Sequence, residues 1–359
     1  MLFDKFQTMA NFQAELAARH VKPFGAVTEE IHSATEGVVQ GRRVILAGTN
    51  NYLGLSYDPR CIKAAQDAAA RWGTGTTGSR LANGSFAEHQ ALETEIAQFY
   101  GVDHAIVFST GYAATMGMCS TLAGPGDTIL LDADSHASIY AGVKLSGADI
   151  IRYKHNDPED LAKRLRRLGE RASQTLIIAE GIYSMLGDVA PLRDIAAVKR
   201  EYGGYLFVDE AHSMGVLGET GRGAAQAAGV EADVDFIAGT CSKSLGAIGG
   251  FCVSRHAELE AIRFCISAYI FTASSAPSII ASTRAALRII VAEPQLRRQL
   301  WDNANRLYDG LKALGLPVGP TASPVVAVEM ADPSATIDCW NALMQAGVYV
   351  NLVIPPASP

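Results

Sequence analysis

Long uninterrupted apolar runs are missing from this chain. The longest candidates are broken by Ser, Thr, Gly or Pro, so no segment reads as a membrane span. A basic excess is missing too: Lys and Arg number 30 against 37 Asp and Glu, a net charge of −7 with no basic run, which argues against nucleic acid as a partner. The six cysteines (Cys61, Cys119, Cys241, Cys252, Cys265, Cys339) show neither metal-site spacing nor a paired framework. No metal is expected, and they read as reduced residues of a cytoplasmic protein. There is no internal repeat or low-complexity tract, and the opening Met1-Leu-Phe-Asp-Lys5 does not read as a signal peptide. What is there, 48% hydrophobic and 19% charged residues over 359 positions, suits a well-packed soluble enzyme with one large domain and a smaller one.

Apolar runs alternate with helical patterns through the middle of the chain, which predicts an α/β fold with a mostly parallel sheet covered on both faces. The strand candidates are Ala105–Phe108, Thr128–Leu131, Leu176–Ala179, Tyr205–Val208 and Phe236–Ala238, near-continuous apolar runs of the kind buried on both faces. Ser85 with Glu88 predicts a capping box, followed by Leu92, Ile96 and Phe99 at helical spacing up to Gly101. Asp157-Pro158 predicts a second helix start, with Leu161, Leu165 and Leu168 on one face. From about Ser282 the pattern changes to a long helix, then to strand-like Val325–Val328 and Val348–Leu352. The expected division is an N-terminal segment 1–48, a large domain 49–281 and a smaller, incomplete α+β domain 282–359.

Ligands of open parallel sheets collect at the carboxyl ends of the strands, so the polar residues just after each strand carry the functional reading. After Phe108 comes Ser109-Thr-Gly-Tyr112, either an anion cradle at a helix N-terminus or an ordinary strand-to-helix turn. After Leu131 comes Asp132-Ala-Asp-Ser-His136, where His136 is either a core histidine or a ring that stacks on a flat cofactor. After Val208 come Asp209 and, one predicted helical turn on, His212. A carboxylate at a buried strand end needs a cation, and a pyridinium nitrogen suits Asp209, with His212 placed for a ring hydroxyl. After Ala238 comes Gly239-Thr-Cys-Ser-Lys-Ser-Leu-Gly246. There Lys243 stands among small residues, suited to a Schiff base with a phosphorylated aldehyde or else solvated on a glycine-rich turn.

From Thr49-Asn-Asn-Tyr-Leu-Gly-Leu55 onward the chain resembles the α-oxoamine synthases, fold-type-I pyridoxal-phosphate enzymes. The carrying motifs are Gly73-Thr-Gly-Thr-Thr-Gly-Ser-Arg80, Asn83-Gly-Ser85, Glu180-Gly-Ile-Tyr-Ser-Met185 and Val208-Asp-Glu-Ala-His-Ser-Met-Gly215. Glu180–Leu192, Tyr269-Ile-Phe-Thr-Ala-Ser274 and Gly347-Val-Tyr-Val-Asn351 are similar to the serine-using branch of bacterial enzymes. The resemblance implies an aspartate-aminotransferase-like fold, pyridoxal 5'-phosphate as cofactor, and decarboxylative condensation of L-serine with a long-chain acyl thioester to a 3-oxosphinganine, the first step of sphingolipid synthesis. The acyl donor is either acyl-CoA or an acyl carrier protein.

Residue by residue, the resemblance implies that Lys243 holds the cofactor, Asp209 meets its ring nitrogen, His212 its ring hydroxyl and His136 its face. It places Gly111, Tyr112, Thr240 and Ser242 at the phosphate and Ser184 close by. Thr272 is implied as a phosphate contact from the second subunit of a homodimer with shared sites, and Asn51 and Tyr52 as an entrance segment near the substrate. Glu180 reads either as a support for these groups or as a buried structural carboxylate. The resemblance also implies a later strand whose arginine holds the substrate carboxylate. The sequence ends at Pro359 before such a residue, and Ile354 stands where serine-branch relatives carry an arginine, so a piece of a longer chain is expected. The competing functions are a glycine- or alanine-using relative with a shorter acyl donor, an aminotransferase on the same fold, and a non-catalytic partner subunit. The expected location is cytoplasmic, with peripheral association at the inner membrane face as an option.

Overall fold

The computed structural model describes residues 2–19 and 26–354; the Pro355–Pro359 ending lies outside the described residues. Two compact units emerge, one formed by residues 50–327 and the other by 1–49 together with 328–359. This grouping differs from the expected boundary at 281/282. The stretch from Ser282 is not one long helix but two, Pro277–Ala292 and Gln295–Ala313, separated where Pro294 interrupts the ladder. The first of them buries Ile280, Leu287 and Ile290 in the core of the larger unit, which is why the chain does not change unit there.

In the smaller unit, β1 (Thr28–Ile31), β2 (Glu36–Val39) and β3 (Arg42–Leu46) form an antiparallel ribbon. The larger unit contributes β4 (His104–Phe108), β5 (Thr128–Asp132), β6 (Asp149–Tyr153), β7 (Leu176–Glu180), β8 (Tyr205–Asp209), β9 (Phe236–Thr240) and β10 (Gly250–Ser254). The short β11 (Val348–Tyr349) returns to the smaller unit and pairs in parallel with β3, Val348 opposite Ile45. Leu16, Val44, Trp340, Met344 and Ile354 form that unit's core, so Ile354 serves there as a buried apolar residue. Val325–Val328 forms no strand, and Val348–Leu352 is strand only at its first two residues.

The seven strands of the larger unit lie in the order β4-β10-β9-β8-β7-β5-β6. Only β10 runs against its neighbours, so β4 and the strands from β9 to β6 all point their carboxyl ends to one edge of the sheet. Strands β5, β7, β9 and β10 are buried at every position, in keeping with their largely apolar composition. Fully enclosed side chains such as Leu130, Ile177 and Phe207 each contribute about 1.5–3 kcal/mol. All five strands expected for the parallel sheet are present.

Local signals set the helix starts. Asp157 accepts from the Asp160 N–H at 2.9 Å with Pro158 in the first helical position. The predicted Ser85–Glu88 capping box is not formed. The helix begins at Ala87, the Phe86 N–H donates to His89 Nδ1, and Ser85 Oγ is taken by Arg80. Glu88 is instead drawn into an ion pair with Arg284.

Candidate active site

The residues that follow the parallel strands assemble at one sheet edge. At the end of β4, Thr110 caps the Gly111–Thr121 helix: its Oγ1 accepts from Ala113 N at 3.0 Å, and its carbonyl accepts from Ala114 N. The N–H groups of Gly111 and Tyr112 are the first-turn donors left beside this cap, at the positive end of the helix dipole. Gly111 has to be glycine, because a Cβ there would lie 2.6 Å from Thr240 Oγ1. Thr240, the last residue of β9, donates to Gly249 O and accepts from Ser242 N at 3.2 Å, while its oxygen lies 2.8 Å from Ser242 Oγ. Gly111, Tyr112, Thr240 and Ser242 thus converge as a cluster of hydroxyls and N–H groups, a chemistry that suits a phosphate.

Thr272 lies on the segment after the Ser267–Ile270 helix, where it lines one cavity with Ser109 and Arg80. That segment is tied down: Ser274 Oγ donates to Gly84 O at 2.6 Å, and Ser274 N donates to Gly78 O at 3.0 Å. Arg80 is itself fixed by a bidentate pair with buried Glu93, at 2.9 and 3.2 Å. The glycine- and threonine-rich motif at 73–80 therefore braces the Thr272 segment.

Asp209 ends β8 and is 5% exposed. Its carboxylate accepts from Thr115 Oγ1 at 3.0 Å and from Ala211 N at 2.9 Å, which keeps the charged form oriented. Thr115 escaped the sequence reading, although its place four residues after Gly111 on one helix face was a usable signal. His212 is not one helical turn along, as expected, but sits in a run of turns. Its Nδ1 lies 2.7 Å from the Tyr52 hydroxyl. Burial, then the charges of Lys243 and His136, push the imidazole down to about 3, so it is neutral and Tyr52 donates to Nδ1. Burial pushes the Tyr52 hydroxyl up, which keeps it a donor. The tautomer leaves His212 Nε2 carrying a proton to give. Asn51 shapes the adjoining turn by accepting from Ser56 N at 3.3 Å.

His136 caps the Ala137–Ser146 helix with Nδ1, which accepts from Ser138 N at 3.2 Å. Its own backbone N–H donates to the carboxylate of Glu180, the last residue of β7. Glu180 is 3% exposed, and burial, reinforced by the nearby Asp209 charge, pushes its carboxyl well up. It therefore supports the backbone under His136 as a buried group. Ser184 stands half-buried on the loop that follows.

Lys243 follows β9 on a half-buried loop. Burial lowers its amine from 10.5 to about 8, against the opposing pull of Asp209 and Glu180. Gly246, at φ +61°, lets this loop press onto the Leu55–Ser56 backbone beside the Asn51–Tyr52 turn; a Cβ there would lie 2.3 Å from Ser56 N. The structure brings together an anion cradle, an oriented carboxylate, a neutral imidazole and a lysine with a usable free amine. Two buried hydroxyls beside these groups, Ser135 Oγ and Ser244 Oγ, have no partner among the described residues. Open cradle, spare donors and amine fit a phosphorylated aromatic aldehyde. Among the described residues no His, Cys, Asp and Glu cluster suits a metal ion, and no helix is long and apolar enough to cross a membrane.

Known proteins agree with this architecture. The aminotransferase class I and II family model matches residues 42–357. The serine palmitoyltransferase of Caulobacter vibrioides is 60% identical over 358 residues, covering 100% of this chain and 89% of the relative. The solved serine palmitoyltransferase of Sphingomonas wittichii superposes with a TM-score of 0.96 at 47% identity, covering 100% of this chain and 90% of that one. A high-resolution structure of SPT with PLP internal aldimine gives a TM-score of 0.96 at 45% identity, with 100% and 91% covered. The chain belongs to the class I and II aminotransferase family of fold-type-I pyridoxal-phosphate enzymes, in the α-oxoamine synthase branch that includes these bacterial serine palmitoyltransferases.

Proposed function

We propose that this protein condenses L-serine with a long-chain acyl thioester, with loss of carbon dioxide and the thiol, to give a 3-oxosphinganine. The observation that carries the reading is Lys243, a half-buried lysine lowered to about 8, set among Asp209, His212 and His136 in a chain 60% identical to a serine palmitoyltransferase. Bound pyridoxal 5'-phosphate supplies an aldehyde for imine formation and an electron sink for charge developing at the serine Cα.

The remaining chemistry is the chain's own. Gly111 N–H, Tyr112 N–H, Thr240 and Ser242 would hold the phosphate. Asp209, steadied by Thr115, would hold a proton on the ring nitrogen, and His212 Nε2 would donate to the ring oxygen. His136 would cover one face of the ring, with Glu180 fixing its backbone, and Ser184 would lie close to the cofactor. Lys243, the amine placed to hold the aldehyde, would take the serine Cα proton as a general base and later return a proton. Asn51 and Tyr52 border the serine site.

Two finer features belong to the same proposal. Thr272 serves the phosphate of a second copy, so the working unit is a homodimer. Phe271, immediately before it, is 81% exposed in the single chain, a large apolar side chain that a second copy would cover. The acyl donor is a thioester of coenzyme A or of an acyl carrier protein. Mass spectrometry of products, with serine, glycine and alanine each offered against both donors, tests the reading. A serine-derived C18-type ketone with carbon dioxide release is expected, whereas turnover with glycine or alanine alone would overturn the serine assignment.

A further inference from the structure

A second polar cluster lies beside the proposed site, built by residues after β5, β6 and β7. His155, two residues past β6, points its ring at two carboxylates at once. Nδ1 lies 2.8 Å from Asp132 Oδ1 at the end of β5, and Nε2 lies 2.6 Å from Asp188 Oδ2 on the loop after β7. Asp132 is fully buried, and Asp188 is mostly so. Asn156 doubles the link: its backbone N–H donates to Asp132 at 3.0 Å and its amide to Asp188 at 2.7 Å. It reaches both by taking a left-handed φ of +51°, which asparagine tolerates better than most residues. Tyr183 sets its ring edge-on to His155, 4.4 Å between centroids.

These contacts matter because of what the bridged segments carry. Asp132 also accepts from Asp134 N at 2.9 Å, shaping the short turn that ends in His136. The loop after β7 closes through Tyr183 N to Asp188 O at 2.9 Å, with Ser184 between them. The two segments meet again where His136 N–H donates to Glu180, and Tyr183 OH lies 3.4 Å from Glu180 N. With a carboxylate bonded to each ring nitrogen, a protonated ring satisfies both partners and a neutral one satisfies only one. Burial opposes the charge, but bonding to Asp132 and Asp188 outweighs it and raises the imidazole to about 10. Asp134, 3.9 Å away, adds to the same field.

We propose that His155 is a positioning residue: by bridging Asp132 and Asp188 it straps the carboxyl ends of β5, β6 and β7, and so sets the turn presenting His136 and the loop presenting Ser184 to the cofactor. The strap rests on the site reading given above, since its effect is exerted through His136 and Ser184.

The test uses purified protein stripped of cofactor and titrated with pyridoxal 5'-phosphate. The readouts are affinity from the absorption band, circular dichroism of that band per bound cofactor, and the melting temperature of the cofactor-free protein. Losing one charge-assisted bond of the strap should weaken cofactor binding in His155→Gln about tenfold, with altered dichroism per bound cofactor. Asp188→Asn, at the more accessible end, should shift both in the same direction by less and keeps the test alive if the histidine variant does not fold. A folded variant with lower melting temperature but wild-type affinity and dichroism would reduce His155 to a stability residue and overturn the proposal. A wild-type protein that forms no band at all would overturn the site reading, and the strap with it.

Discussion

Replacing Lys243 with methionine should make the cofactor-free protein more stable, in a way that depends on pH. The ordinary lysine value of 10.5 falls to about 8 here, chiefly because burial disfavours the ammonium. While the amine is charged in both states, that lowering costs the folded protein roughly 3 kcal/mol. Below about pH 8 the folded and unfolded chains both carry the proton and the whole cost is felt. Above about 10.5 neither does, and the cost is gone. The attraction of Asp209 and Glu180 for the ammonium is already contained in the net value, so a neutral side chain of similar length is the right reference. Lys243→Met should therefore gain up to roughly 3 kcal/mol at pH 7 and under half of that at pH 9.5. Urea unfolding of cofactor-free wild type and variant at several pH values measures both numbers. A variant no more stable at pH 7, or a gain that does not shrink with rising pH, would refute the reasoning. The same lowering leaves about a quarter of the amines free at pH 7.5, against about one in a thousand for an ordinary lysine, so the rate of cofactor recombination should rise with a midpoint near pH 8.

Other substitutions separate the roles of neighbouring groups. His212, lowered to about 3, stays neutral in the folded protein while the unfolded chain takes up a proton near 6.5, so stability should fall as pH drops from 6.5 toward 3. His212→Gln should flatten that limb by roughly 3 kcal/mol at pH 4, read by urea unfolding. Thr115→Val removes the hydroxyl that donates to Asp209 at 3.0 Å and should cost about 2 kcal/mol of stability and about tenfold in cofactor affinity; unchanged affinity would release Thr115 from its part. If the proposed homodimer with shared sites forms, Phe271→Glu should shift it to a monomer by light scattering and lower cofactor affinity, since Thr272 of each copy would then be lost to the other's phosphate site.

Much of the site was legible along the chain because a parallel sheet turns sequence order into spatial order. Apart from β6, each strand from β4 to β9 carries an apolar run, and the polar residue just after the run must come out at the same edge. Sequence order alone therefore groups His136, Asp209 and Lys243. β10 was not legible: it starts at Gly250, where a glycine pair reads as loop, and its reversed direction follows only from pairing with β4 and β9. β6 was missed for the opposite reason, since it is an edge strand with mixed exposure and no continuous apolar signal. Ser85 and Glu88 had the spacing of a capping box, but Arg80 and Arg284 took both side chains through tertiary contacts.

By itself, then, the sequence determined the parallel α/β core, the order of chemical groups along its edge and the family to which the chain belongs, because all three depend on local pattern and motif. Only the tertiary structure decided which groups act on one another. Tyr52 reaches His212 across 160 positions, Thr115 reaches Asp209 across 94, and His155 reaches Asp188 across 33. Protonation at such contacts follows from burial and from charges brought together by folding, and neither quantity exists until the chain has closed on itself.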